Sequence, residues 1–354
     1  MSSVDVVVPC YNYAKYLEFC VRSVLSQRDV NVRVLILDDV SPDNTPEVAG
    51  RLAASDGRVT YVRNEENLGL VGTANKGVMN WAAAEYVVLL SADDALTPGS
   101  LSRATQLMEA RPDVVLTYGM ALILQDDGPE LTTQDTKDPP SVVISDKEFL
   151  RLTCEQGNPV PSPAAVMRMS AQRRIGGYNP KYKHTCDVDM WIRAAAAGPI
   201  GVINTVQAYY RWHSSNMSAA YQLRPVGDRA EMLENCADFL DKNGREFPDF
   251  RQWLEQMRHR FGDEALLIAS KAFENEGDGT WRTSLEIAKR WRPDYWRSST
   301  WWKFLFKRML GQRSTARLQN WVDRLGVRPV YKHVDWWEHG VLNGRWPGNA
   351  SRQG

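Results

Sequence analysis

The sequence predicts an α/β protein built on an open, mainly parallel sheet with helices on both faces, followed by an α-helical C-terminal region. Three observations carry this. Strand-like and helix-like runs alternate over the first 120 residues, the strand runs are short and continuously apolar, and the pattern beyond Arg224 is helical to the end. The first strand is VDVVVP (4–9), and a helix follows over 16–27, with Leu17, Cys20, Val21, Val24 and Leu25 at helical spacing. VRVLIL (32–37) is the second strand, 45–54 a helix, VTYV (59–62) a strand and 73–84 a helix. YVVLL (86–90) is the next strand, 101–109 a helix and VVLTYG (114–119) a strand. In such sheets ligands bind outside the carboxyl ends of the strands, so the residues after each strand are the candidate site.

Composition bounds the rest. The 354 residues are 43% hydrophobic and 24% charged, ordinary for a globular chain long enough for about two domains. Five cysteines with no CxxC spacing imply neither a disulfide framework nor a zinc site, and a reducing, cytoplasmic setting fits them. No run of 18 apolar residues is present, and the N-terminus lacks a signal-peptide pattern. The net charge of zero hides an asymmetry. Residues 281–354 hold 15 Lys/Arg against 5 Asp/Glu, together with 9 of the 13 tryptophans. The expected division is a catalytic domain over 1–220, with a nucleotide-binding half (1–120) and an acceptor half (121–220), then a basic, Trp-rich region over 221–354. The polar segment 126–140 reads as a loop or lid.

Six motifs sit on this frame. PCYNYAKYL places Pro9 and Tyr11 at the first strand end, where the ring can stack on a base or simply pack beside a helix start. LILDDVSPDNT ends the second strand with Asp38 and Asp39, whose carboxylates can accept from a nucleobase imide or a ribose hydroxyl, or satisfy a local turn. NLGLVGTANKG (67–77), led by Asn67, offers close backbone approach before a helix, which suits a diphosphate. LLSADDALTPG carries Asp93 and Asp94, two hard oxygen donors suited to Mg²⁺ or Mn²⁺, or an acidic helix cap. GGYNPKYKHTCDVDMW sets Asp187 before a helix, as a general base or an N-cap. YYRWHSSNMS holds His213, a candidate metal ligand. The sequence after the first strand, PCYNYA, lacks the G-x-G-x-x-G of a nucleotide-dependent dehydrogenase.

Taken in this order, the motifs from VVVPCYNYAKYL to YRWHSSNMS resemble glycosyltransferase family 2, of the GT-A fold, over about residues 4–218. The resemblance implies an inverting transfer of a sugar from a nucleotide donor, UDP-linked by preference, to a hydroxyl of a glycan or lipid-linked saccharide, in surface polysaccharide or glycoconjugate assembly. It assigns Pro9, Tyr11, Asp38, Asp39, Asn67 and Asp93 to the nucleotide, Asp93, Asp94 and His213 to a Mn²⁺ or Mg²⁺ ion, and Asp187 to general-base catalysis. The chain departs from the pattern at Ser91, where the metal motif usually begins with Asp, and at Cys186, where an acid often precedes the base; Asp189 is a second candidate acid. These departures keep open a catalytically silent sugar-nucleotide-binding protein.

The tail carries its own expectation. In WWKFLFKRML (301–310), Trp301, Trp302, Leu305, Phe306, Met309 and Leu310 form one apolar helical face, with Phe304 the exception and Lys303, Lys307 and Arg308 largely opposite. Residues 281–317 hold 10 Lys/Arg against 2 Asp/Glu, so a peripheral contact with an anionic membrane at its inner, cytoplasmic face stands beside plain packing. No nucleic-acid partner is expected, and the oligomeric state is left open.

Overall fold

The computed structural model describes residues 1–125, 138–216, 226–274, 279–315 and 341–342. It divides into two compact units, one of residues 1–214 with 336–354, the other of 215–335.

The first unit is built on one sheet. Four strands, β1 (Ser2–Cys10), β2 (Val30–Asp38), β3 (Val59–Arg63) and β4 (Tyr86–Leu89), run parallel in the order β3-β2-β1-β4. Their apolar runs are buried because helices cover both faces. Val4, Val6, Val8, Val34 and Ile36 point into a core shared with α1 (Ala14–Leu25), α2 (Thr45–Ser55) and α4 (Ser100–Ala110). On the other face, a Cβ at Gly77 would lie 2.3 Å from a Val7 methyl and 3.0 Å from Leu37, so only glycine lets that segment rest on the sheet. This close packing also alters the helix expected over 73–84. α3 (Gly69–Asn75) begins four residues earlier and passes into a π-helical turn over Lys76–Trp81.

The sheet continues beyond β4 with mixed strands. β5 (Ala95–Leu96), β6 (Leu116–Gln125), β7 (Ser141–Ile144), β8 (Val166–Arg168) and β9 (Ile200–Trp212) complete the order β4-β8-β6-β9-β5, with β7 also on β9. β6 runs six residues past the expected end at Gly119, because Met120–Gln125 pair with β9. The helices of this part are α5 (Asp146–Gln156), α6 (Met169–Ile175) and α7 (Cys186–Ala197). The expected lid, 126–140, falls mostly on 126–137, outside the described residues.

The second unit is helical: α8 (Gly227–Asn243), α9 (Phe250–Glu274), α10 (Thr280–Trp291) and α11 (Ser299–Leu310). Ala265, Leu266, Ala269, Phe273, Leu285, Ala288 and Phe304 form its core. Two expectations for the tail are corrected. The chain is not helical to its end, since β10 (Val341–Leu342) pairs antiparallel with Ala121 and Leu122; β8 covers only Leu116 and Thr117 on that side of β6 and leaves room. Phe304, the exception to the apolar face of 301–310, is the residue of α11 that is fully buried.

Candidate active site

The carboxyl ends of β1, β2 and β4 deliver the acidic motifs to one edge of the sheet, as parallel pairing requires: Cys10 lies opposite Asp38, and Val7 opposite Leu89. At the end of β2, Asp38 is wholly buried and satisfied by protein. It accepts from Ser41 N (2.7 Å), Tyr61 Oη (3.1 Å) and Arg63 Nη1 (2.9 Å). Asp39 differs. Its two carboxylate bonds, from Asn64 Nδ2 (2.8 Å) and Leu68 N (2.9 Å), both fall on Oδ1, which leaves Oδ2 without a protein donor among the described residues. Asn67 donates to the Asp39 carbonyl (3.0 Å) and accepts from Gly69 N, so it shapes the turn that enters α3. Lys76 donates to Asn64 Oδ1 (2.8 Å) and extends the network. Tyr11 is 50% exposed beside this edge, while Pro9 lies within β1.

The pair after β4 is buried as well. Asp94 Oδ1 accepts from the Arg211 backbone N–H (2.9 Å), and burial, then the neighbouring Asp93 charge, push its carboxyl well above the usual range. Asp93 Oδ2 lies 3.1 Å from His213 Nε2, and Asp93 Oδ1 is buried with no hydrogen-bond partner among the described residues. Such an oxygen is costly to bury unless a ligand, proton or cation meets it. The His213 ring stacks on Tyr16 (5.2 Å between centroids) and meets Tyr13 edge-on (5.3 Å), so the imidazole has a fixed plane. Burial, and then the two aspartates, raise the Tyr13 phenol.

The structure therefore brings Asp93 and His213 together and turns Asp94 toward the backbone of β9. No group of three or more His, Cys, Asp or Glu side chains assembles as a metal cage among the described residues. The donor set still fits a hard divalent cation in part. The His213 imidazole and the Asp93 carboxylate, with its unpaired oxygen, are two compatible ligands, and such ions often complete their shell with substrate phosphate and water.

Asp187 lies in the first turn of α7. Its Oδ2 accepts from Asn158 Nδ2 (2.9 Å) and Ser162 Oγ (2.8 Å), and its Oδ1 from Val188 N (2.8 Å). Burial raises its carboxyl above the ordinary value, and the hydrogen bonds from Ser162, Val188 and Asn158 work against that rise. A half-buried carboxylate in this balance can hold a proton taken from a hydroxyl. Asp189 is occupied elsewhere. It pairs with Arg193, whose Nη1 and Nη2 also donate to Ile175 O (2.7 Å) and Gly177 O (3.0 Å). The next residue of that loop, Tyr178, exchanges two hydrogen bonds with the Asn75 amide (2.7 and 2.8 Å). Asn75 thus ties the helix after β3 to the loop that leads to Asp187.

Sequence reasoning missed Asn64, Asn75, Arg211 and the two side-chain donors to Asp187, Asn158 and Ser162. Each acts on a partner 10 or more residues away, and its residue type alone carries no signal.

A parallel half-sheet with acidic turns after its strands, continued by a mixed half, is the architecture of the GT-A fold. Residues 5–172 match the family model Glycosyl transferase family 2. The glycosyltransferase GlyG of Streptococcus pneumoniae serotype 4 is 32% identical over 114 residues, a match that covers 32% of this chain and 38% of GlyG, well under half of that protein. The Bacillus subtilis protein EpsH is 25% identical over 289 residues, covering 80% of this chain and 78% of its own. Among solved structures, residues 1–349 of S. aureus TarS in complex with UDP-GlcNAc superpose with a TM-score of 0.53 at 15% identity, over 83% of this chain and 92% of that one. The mannosyltransferase PcManGT of Pyrobaculum calidifontis, in complex with GDP-Man and Mn2+, gives 0.50 at 17% identity, over 91% and 87%. At these identities the two structures speak to the fold. Residues 5–172 belong to glycosyltransferase family 2, a family of nucleotide-sugar-dependent enzymes.

Proposed function

We propose that residues 1–220 form an inverting glycosyltransferase domain that moves a sugar from a UDP-linked donor to a hydroxyl of a glycan or lipid-linked acceptor in surface polysaccharide or glycoconjugate assembly. The observation that carries this is Asp93, whose Oδ1 is buried and has no hydrogen-bond partner among the described residues, beside His213 at the carboxyl edge of the parallel strands. Asp39 Oδ2 and Tyr11 hold the nucleoside, and Asn67 shapes the turn under the diphosphate. Pro9 and Asp38 support that edge from within the protein. Asp93 and His213 would hold a Mn²⁺ or Mg²⁺ ion, with Asp94 behind them; such an ion would supply charge neutralisation at the leaving diphosphate.

Asp187 takes the proton of the acceptor hydroxyl as that oxygen attacks the anomeric carbon in a single displacement. Asn158 and Ser162 keep its carboxylate oriented, and they hold back the rise in proton affinity that burial causes.

No helix among the described residues is long and apolar enough to cross a membrane. We place the enzyme in the cytoplasm, held peripherally at the inner membrane face through 281–317, where a lipid-linked acceptor is within reach.

The test is a thermal-unfolding panel of UDP, dTDP and GDP with and without Mn²⁺. UDP with Mn²⁺ should stabilise by about 2.7 kcal/mol at a hundredfold excess over Kd. No stabilisation by any nucleotide would overturn the reading. Donor hydrolysis in the same samples separates an enzyme from a silent binder.

A further inference from the structure

We infer that the outward face of α11, formed by Trp302, Phe306 and Met309 with Lys303 flanking it on the helix, is a docking surface for an anionic lipid bilayer. The inference rests on the peripheral placement proposed above and names the residues that would carry it.

The structure divides the residues of α11 differently from a count of apolar positions. Phe304 is fully buried against Phe273 (5.7 Å) and Trp281 (6.0 Å). Trp301 packs on Phe304 (6.1 Å) and Tyr295 (4.7 Å). Lys307 donates to Ser270 Oγ (2.9 Å) and pairs with Glu274, while Arg308 lies over the Trp281 ring (5.5 Å). These four residues fasten the helix to its own unit and are not available to a partner.

On the other side, Trp302 is 59% exposed, Phe306 59% and Met309 80%. They recur at i, i+4 and i+7, so they share one face, opposite Phe304. Leu310 extends the face. Isolated exposed apolar residues are ordinary, but a contiguous stripe of Trp, Phe and Met on one helix is not.

Charge selects the occupant. Between Trp296 and Thr315 the sequence holds Arg297, Lys303, Lys307, Arg308 and Arg313 and no Asp or Glu. Lys303 and Arg297 are exposed and have no side-chain ion pair among the described residues. An apolar stripe with aromatic residues, edged by cations whose stems can lie along it, matches the boundary between acyl chains and anionic headgroups.

The test is vesicle flotation of the intact protein at low salt. Equimolar phosphatidylcholine–phosphatidylglycerol vesicles are compared with pure phosphatidylcholine. The protein should float with the anionic vesicles, not with the neutral ones, and be released by high salt. Trp302→Ala/Phe306→Ala/Met309→Ala should lower the partition coefficient by at least about tenfold. Lys303→Glu should lower it by about fivefold or more. The exposed triple variant should keep its unfolding temperature, which separates lost docking from lost folding. If the intact protein ignores anionic vesicles, both the surface and the peripheral placement fall. If it floats and the triple variant floats equally well, the surface is wrong while the placement stands. If the triple variant instead turns a dimer into a monomer without changing flotation, the face is a contact between copies and the inference is overturned.

Discussion

The ends of β2 and β4 each carry an Asp-Asp pair, and each pair divides its labour the same way in opposite order. After β2 the first carboxylate, Asp38, is consumed by Ser41, Tyr61 and Arg63, and the second, Asp39, keeps an oxygen free of protein donors among the described residues. After β4 the second, Asp94, is held by the Arg211 backbone, and the first, Asp93, keeps a buried oxygen unpaired among the described residues. Asp39 follows the end of β2 and Asp93 and Asp94 lie in the turn after β4, so the partners that each carboxylate meets, not strand alternation, divide the pairs. In each pair one carboxylate is held by the protein, and the proposed function gives the ligand to the other.

The largest expected effect contrasts Asp93 with Asp94. Asp93→Asn should lower transfer by at least about a hundredfold, because it removes charge from the site that meets the leaving group. Asp94→Asn retains an acceptor oxygen for Arg211 N–H and relieves like-charge burial, so its loss should be clearly smaller. Steady-state rates of both variants check this, and equal losses would break the division.

The β2 pair gives a smaller, two-sided contrast. Asp39→Asn should weaken UDP binding about tenfold by calorimetry while leaving stability near wild type. Asp38→Ala strands Ser41 N–H and Tyr61 and should cost about 2 kcal/mol by denaturant unfolding. Reversal of these two readouts would exchange the roles.

A third contrast lies at Asp187, where burial and hydrogen bonds oppose each other. Ser162 donates to the ionised carboxylate and lowers its proton affinity, so Ser162→Ala should raise it. The base must be ionised to act, so the acid limb of the kcat/KM profile should move to higher pH, with a modest loss in rate at the optimum. A limb that stays in place or moves down would remove Ser162 from the base's environment.

These contrasts also mark what the sequence can reveal. The acidic motifs were legible because each is local: an apolar strand run ending in Asp-Asp, or an Asp at a helix start. Their division was not. It depends on Tyr61, Arg63 and Arg211, which reach the pairs only after the sheet has formed. Ser162 and Asn158 precede Asp187 by 25 and 29 residues and give no pattern of their own. The face of α11 misled for the same reason. A single-helix pattern identifies an apolar side but not which side its neighbours cover, and Phe304 was claimed by Phe273 and Trp281. The strands were more legible than the helix after β3, where Gly77 and a π turn shift the spacing.

The general-base role of Asp187 is tested most directly by Asp187→Asn, with donor binding and transfer measured on the same preparation. Asparagine keeps the shape and one acceptor oxygen, enough for Ser162 and Asn158 on one side or for Val188 on the other, but cannot take a proton. Calorimetry with UDP and Mn²⁺ should give an affinity near that of the wild type, while transfer to the acceptor should fall by at least about a hundredfold. Near-normal turnover in this variant would contradict the assignment, and a matching loss of nucleotide affinity would place Asp187 in donor binding instead.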